Sequence, residues 1–243
     1  MSGLYQAAHL WLQVEDMIAM FSGWSSLTSL DLSHFYTPRL LDLYAMFEDY
    51  VSLTYLNIEN MNTSLVKDFR YLFNGCSNLT SINIDNFDTS NEIYLYSLFE
   101  DCKSLTYINL ENFNTSKVKG MNGMFSGCSL LTSIDMSNFD TINVTEMSYM
   151  FYGCTSLAKL EFSHFNTSNL VDIDHLFGYC TSLTYIDISN VKTNEVKYFN
   201  AFEGIYDEGI IIFNSKIFPR ELLDYIPNNW EYNDIGNNTL IIN

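Results

Sequence analysis

The chain has 243 residues, 47% of them hydrophobic and 16% aromatic, with only 11 glycines and 3 prolines. That composition can build a core and excludes a collagen-like or disordered chain. Eleven Lys and Arg against 29 Asp and Glu leave a net charge of −18, which repels a phosphate backbone and argues against nucleic acid as a partner.

Taken from the N-terminus, Met1-Ser2-Gly3-Leu4-Tyr5 has no basic region before its apolar segment, so it does not read as a signal peptide. No uninterrupted apolar stretch reaches the roughly 18 residues of a membrane span, so no membrane insertion by this segment is expected. Leu4 to Leu12 reads as a short apolar helical cap or as the frayed start of a truncated array, and Val14, Met17 and Met20 match the second half of the unit that follows.

From residue 21 a phenylalanine returns every 26 residues, at Phe21, Phe47, Phe73, Phe99, Phe125, Phe151 and Phe177. A fixed period of this length is the signature of a solenoid, in which each unit buries its apolar face only against its neighbours. With the Phe as position 1, position 7 is Leu in all seven units, and positions 10 and 12 are apolar with the two-residue spacing of a short strand. Further on, Val144, Met147, Met150, Phe151 and Cys154 fall three or four apart, which predicts a short helical or 3-10 return. Position 17 is Thr throughout (Thr37, Thr63, Thr89, Thr115, Thr141, Thr167, Thr193), and position 14 is Asn except for His34 and His164. Short polar side chains in such ladders are expected to satisfy backbone groups that a turn leaves unpaired.

The pattern stops near Asp207. Gly209 to Phe213 reads as a last strand laid on the array and Pro219 to Ile226 as a short helix with Pro in its first turn, with Pro227 and Trp230 closing the end. The expected organisation is an N-terminal cap and partial repeat over 1–20, a seven-repeat solenoid over 21–206 and a C-terminal cap over 207–243. The expected fold class is a solenoid with one short parallel strand and a short helical or 3-10 return in each repeat.

The run Cys-x-x-Leu-Thr-x-Ile-Asp-x-Ser-Asn-Phe-Asp-Thr-x-Asn-Val-Thr-x-Met-x-x-Met-Phe, from Cys128 to Phe151, resembles the 26-residue bacterial surface protein repeat of the BspA-like leucine-rich repeat family. The resemblance covers about residues 14–204 and implies a right-handed leucine-rich-repeat-like solenoid. It implies a non-catalytic adhesion or binding module at the cell surface or outside the cell, with a host protein or a glycan as partner. It transfers no set of ligand residues. The alternative is a cytoplasmic protein-protein interaction scaffold, and in either case a monomer is expected.

Few residues have a catalytic pattern. Cys76, Cys102, Cys128, Cys154 and Cys180 all occupy position 4, where the first two units carry Trp24 and Tyr50. Interchange with aromatics marks a buried apolar slot, so these are read as core thiols rather than disulfides or zinc ligands. Asp172, Asp174 and His175 form the one local acid-base cluster and read as a solvated face. No nucleophile elbow, phosphate loop or zinc-protease motif is present, so neither an enzyme nor a cofactor nor a metal is expected.

The candidate surface is the outward strand face, positions 9, 11 and 13. Each unit places one acid there: Asp31, Glu59, Asp85, Glu111, Asp135, Glu161 and Asp187. The acid is at position 13 where position 11 is Asn, and otherwise at position 11. Position 9 adds Tyr55, Tyr107 and Tyr185, rigid side chains favoured in recognition. The partner-binding candidates are therefore Tyr55, Glu59, Tyr107, Glu111, Asp135, Glu161, Tyr185 and Asp187. The plainer alternative is that solvated strands of an acidic protein are acidic.

Overall fold

The structure is a computed structural model, described for residues 12–192, 200–218, 220–237 and 239–241. The expected cap helix up to Leu12, His9, Thr193 and Pro219 lie in whole or in part outside the described residues.

The chain winds as a parallel solenoid whose successive turns are offset by 26 residues. Strands β1 (Ser29–Asp31) and β2 (Tyr55–Asn57) pair in parallel. A second sheet runs β3 (Lys159–Glu161), β4 (Tyr185–Asp187), β5 (Glu208–Phe213), β6 (Asn229–Asp234) and β7 (Thr239–Ile241), parallel until the antiparallel β6–β7 pair. In register, Leu160 faces Ile186 and Ile186 faces Ile211, so position 10 forms one inward column. Over the third to fifth repeats the equivalent segments keep Ile82, Ile108, Leu110 and Met136 buried, with Ile134 half-buried, but form no regular ladder.

Inside, one continuous core runs from Met17 to Trp230. The position 1 rings from Phe21 to Phe151 stack nearly parallel, with centroids 5.6–5.8 Å apart. The ladder breaks at Phe177, because Phe162 replaces an aliphatic residue at position 12 and meets both Phe151 and Phe177 edge-on. The cysteines are free and buried, and each S–H points at the Phe carbonyl of the preceding repeat, as Cys128 does to Phe99 at 3.1 Å. Burial pushes the Cys76 and Cys180 thiols up to about 12. The threonine ladder also has its expected role: Thr89 Oγ1 accepts the Asn114 N–H at 2.8 Å and donates to the Asn114 carbonyl at 3.1 Å.

The return differs from the expected helix. Among the described residues the repeats contain no helix, and the one regular helical segment is the 3-10 turn Arg220–Tyr225 near the C-terminus. Each return is instead a run of overlapping turns in which alternate N–H groups leave the chain. Phe125 and Gly127 donate to Met150 and Tyr152, 25 residues on in the next turn of the solenoid, whereas Met124 and Ser126 donate three residues back, to Met121 and Gly123. Left-handed φ at positions 25 and 3, as at Gly123 (63°) and Gly127 (72°), turns every second peptide toward its neighbour. The spacing of three and four still selects the buried face, since Val144, Met147, Met150, Phe151 and Cys154 are all buried.

At the C-terminal end, the expected last strand is β5. Beyond it, β6 adds a further parallel strand with Trp230 buried and its indole N–H on the Tyr206 carbonyl at 2.8 Å. The buried Asp234 carboxylate accepts the N–H groups of Ser215 and Gly236, both at 3.0 Å.

Candidate functional site

The strand face is organised first by what its turns need. At position 11, Asp31, Asp135 and Asp187 each accept the N–H of the serine two residues on, at 2.9 Å. Asn57, Asn83 and Asn109 do the same for the N–H of Glu59, Asp85 and Glu111, at 3.2, 3.0 and 3.1 Å. In these six repeats the link between positions 11 and 13 has a backbone cause: position 11 supplies a short side-chain acceptor for the position 13 N–H, and the acid stands at position 13 where an amide does that work, Glu161 being the exception. Hydrogen bonds from the Ser33 hydroxyl and N–H hold the Asp31 carboxyl below the usual carboxylate range, and those from Ser137, its N–H first, do the same for Asp135.

This sorts the eight candidates. Asp135 and Asp187 brace their own turns. Glu161 pairs with Lys159 at 2.7 Å, and the same ammonium lies 4.7 Å from the Tyr185 ring centre, so that corner is internally neutralised. Tyr185 and Asp187 are half-buried. The exposed remainder is Tyr55 with Glu59 and Tyr107 with Glu111, and among the described residues neither glutamate carboxylate accepts a hydrogen bond. Between these pairs, Asp85 accepts the Asn109 amide at 2.7 Å.

The structure brings part of the set together in a groove. One hollow of about 290 Å³ is lined by Tyr107, Glu111, Asp135 and Asn138, and a second of about 190 Å³ by Asp135, Lys159, Glu161 and His164. They share Asp135 and Ser137 and lie where the strand ladder is interrupted. His164 replaces the ladder asparagine and bonds the Met136 carbonyl at 2.8 Å, which gives it the ladder's structural role. No group of three His, Cys, Asp or Glu able to hold a metal is found among the described residues. No helix of the described residues is long and apolar enough to cross a membrane.

Sequence reasoning missed Glu92. It occupies position 20, a column otherwise filled by Val14, Leu40, Val66, Val118, Val144 and Leu170 among the described residues, and it is 1% exposed. Its carboxylate accepts the N–H groups of Phe69, Ile93 and Tyr94, each at 2.7 Å. Burial outweighs those bonds and pushes its pKa up to about 7. The signal was one acid in an aligned apolar column.

Comparison with known proteins supplies a family and a distant structural likeness. Among curated proteins none matches. The structure is similar to a crystal structure of a leucine-rich repeat protein from Bacteroides ovatus ATCC 8483, with 22% identity and a TM-score of 0.33 over 82% of this chain. The match spans 58% of that chain's length. A family model described as "Mycoplasma protein of unknown function, DUF285" matches residues 11–55, 41–133 and 130–207, which takes in the repeat array from its first described turn to its last. The chain therefore belongs to that DUF285 family.

Proposed function

We propose that the chain is a non-catalytic binding module of the BspA-like surface type, which recognises a protein partner carrying positive charge through its outward strand face. The observation that carries this reading is the pairing of Tyr107, 62% exposed, with the Glu111 carboxylate at the mouth of a groove. Neither side chain serves the fold, and Tyr55 with Glu59 repeats the arrangement two units earlier. Rigid aromatic area next to unneutralised acid suits a basic surface, and the net charge of −18 would steer such a partner in.

The test is binding of the isolated chain to a panel of basic and neutral extracellular proteins and to a glycan array, at low and physiological salt. Affinity for the basic members is expected to fall with salt, and Glu111→Lys or Glu59→Lys to weaken it about tenfold. Asp172→Lys, on the return, should leave it unchanged. Salt-independent binding that ignores Glu111→Lys would sink the proposal.

A further inference from the structure

The opposite face of the solenoid carries a second feature, built by the left-handed position 25 of the return. In successive repeats that position is Tyr71, Ser97, Gly123 and Tyr149. Two tyrosines thus stand three repeats apart, about 14 Å at the spacing of parallel strands, with two minimal side chains between them. The result is an open notch of about 250 Å³, walled by Tyr71 and Tyr96 on one side and Tyr149 on the other, with Ser97 and Gly123 in its floor.

The notch has a negative side. The Glu100 carboxylate folds over Gly123: a Cβ built there would lie 3.5 Å from Glu100 Oε2 and 3.1 Å from Ser97 Oγ. Glu100 also lines the notch and takes a hydrogen bond from Asn74 at 3.3 Å. Tyr96 is held in place across the glycine at 120, with its hydroxyl donating to Glu146 at 2.8 Å. None of the residues lining the notch carries a positive charge.

The same face shows what fits such a combination. One repeat earlier, the Arg70 guanidinium lies 5.3 Å from the Tyr44 ring centre and bonds Asp68 through Nε at 3.0 Å. Arg70 is at position 24. In the two repeats that floor the notch, position 24 is Tyr96 and Asn122, neither of them a base.

We propose that the notch between Tyr71, Tyr96 and Tyr149 receives an arginine side chain of a partner protein, stacked on a ring of one wall and paired with Glu100. Guanidinium suits it better than ammonium, because a planar, weakly hydrated cation gains from both ring face and carboxylate. The volume is below that of an ordinary small-molecule pocket and takes one side chain. This site is independent of the strand face and stands if that reading fails.

The experiment uses the full chain with labelled tyrosine rings, titrated with acetyl-Gly-Arg-Gly amide and with its lysine and citrulline counterparts. The arginine peptide is expected to move the Tyr71, Tyr96 and Tyr149 resonances saturably, the lysine peptide to bind less tightly, and the neutral citrulline peptide to bind about tenfold more weakly. Glu100→Gln should weaken the arginine peptide at least fivefold. Ser97→Tyr should abolish its binding while folding normally, since Tyr71 and Tyr149 already adopt the same left-handed backbone. Glu111→Lys on the strand face should have no effect. Equal binding of citrulline, unchanged binding by Ser97→Tyr, no saturable shift with arginine, or a methyl glucoside that saturates the notch where arginine does not, would each overturn the proposal.

Discussion

Glu92 accepts the Phe69 N–H at 2.7 Å, in the place where every neighbouring repeat offers a backbone carbonyl. Leu43 and Leu95, one repeat either side of Phe69, donate instead to the main-chain oxygens of Asp68 and Gly120. A buried carboxylate has thus replaced one rung of the return ladder.

That substitution makes stability depend on pH. The unfolded glutamate titrates near 4.5 and the folded one near 7, so between these values the folded chain holds a proton that the unfolded chain has lost. The contribution of Glu92 to stability is therefore highest at low pH and falls as pH rises from about 4.5 through about 7, by roughly 3 kcal/mol at most. Denaturation midpoints should be higher at pH 5.5 than at pH 8. Because the other acids repel one another less at low pH as well, the deciding comparison is Glu92→Gln, which should flatten the profile between those two values. Parallel profiles for the two proteins would show that Glu92 is not the responsible group.

Tyr50 presents a second irregular column. It fills the cysteine slot, is fully buried, and its hydroxyl has no hydrogen-bond partner among the described residues. An unpaired buried hydroxyl costs about 1–3 kcal/mol, so Tyr50→Phe should stabilise the chain by around 1 kcal/mol while preserving ring packing. Chemical denaturation gives the midpoint, and a lower one would mean that the hydroxyl is solvated or bonded in solution.

The ladders were legible because a repeat aligns itself. Phe125, Thr89 and Cys128 were each placed correctly by comparing units, and the Cys-to-Tyr exchange at position 50 already marked an apolar slot. The return was not legible as turns, because residues three and four apart share a face in a helix and in successive tight turns alike. Glycine at position 3 in Gly75, Gly127 and Gly153 was the available clue, since all three have left-handed φ and no helix interior uses them. On the strand face, the exchange between Asn57 with Glu59 and Asp135 with Ser137 was visible in the sequence. Its cause is the turn N–H at position 13, which only coordinates identify.

The threonine ladder makes a prediction with an internal control. Thr89 is fully buried and both accepts from and donates to the Asn114 backbone. Thr89→Val keeps the shape and takes from the part-buried Asn114 N–H and carbonyl their shared hydroxyl partner, so it should cost about 1 kcal/mol. Thr89→Ser keeps the hydroxyl and should cost less than half as much. Equal losses would assign the role of Thr89 to its methyl group.

Gly120 has an ordinary backbone, so its requirement is steric rather than conformational. A Cβ there would run into the Tyr96 ring, within 2.8 Å of Cζ. That ring reaches past Gly120 to put its hydroxyl on Glu146, which also takes the Asn122 amide at 2.9 Å. Because Tyr96 can swing aside, Gly120→Ala is not expected to unfold the chain. It should cost about 1–2 kcal/mol, the worth of a hydrogen bond to a charged acceptor together with some ring packing. The attribution follows from a double-mutant cycle: in a Tyr96→Ala background, Gly120→Ala should cost close to nothing or slightly stabilise, giving a coupling energy of about 1–2 kcal/mol. If the two losses simply add, the glycine serves some contact other than Tyr96, and the ring is not held over it in solution.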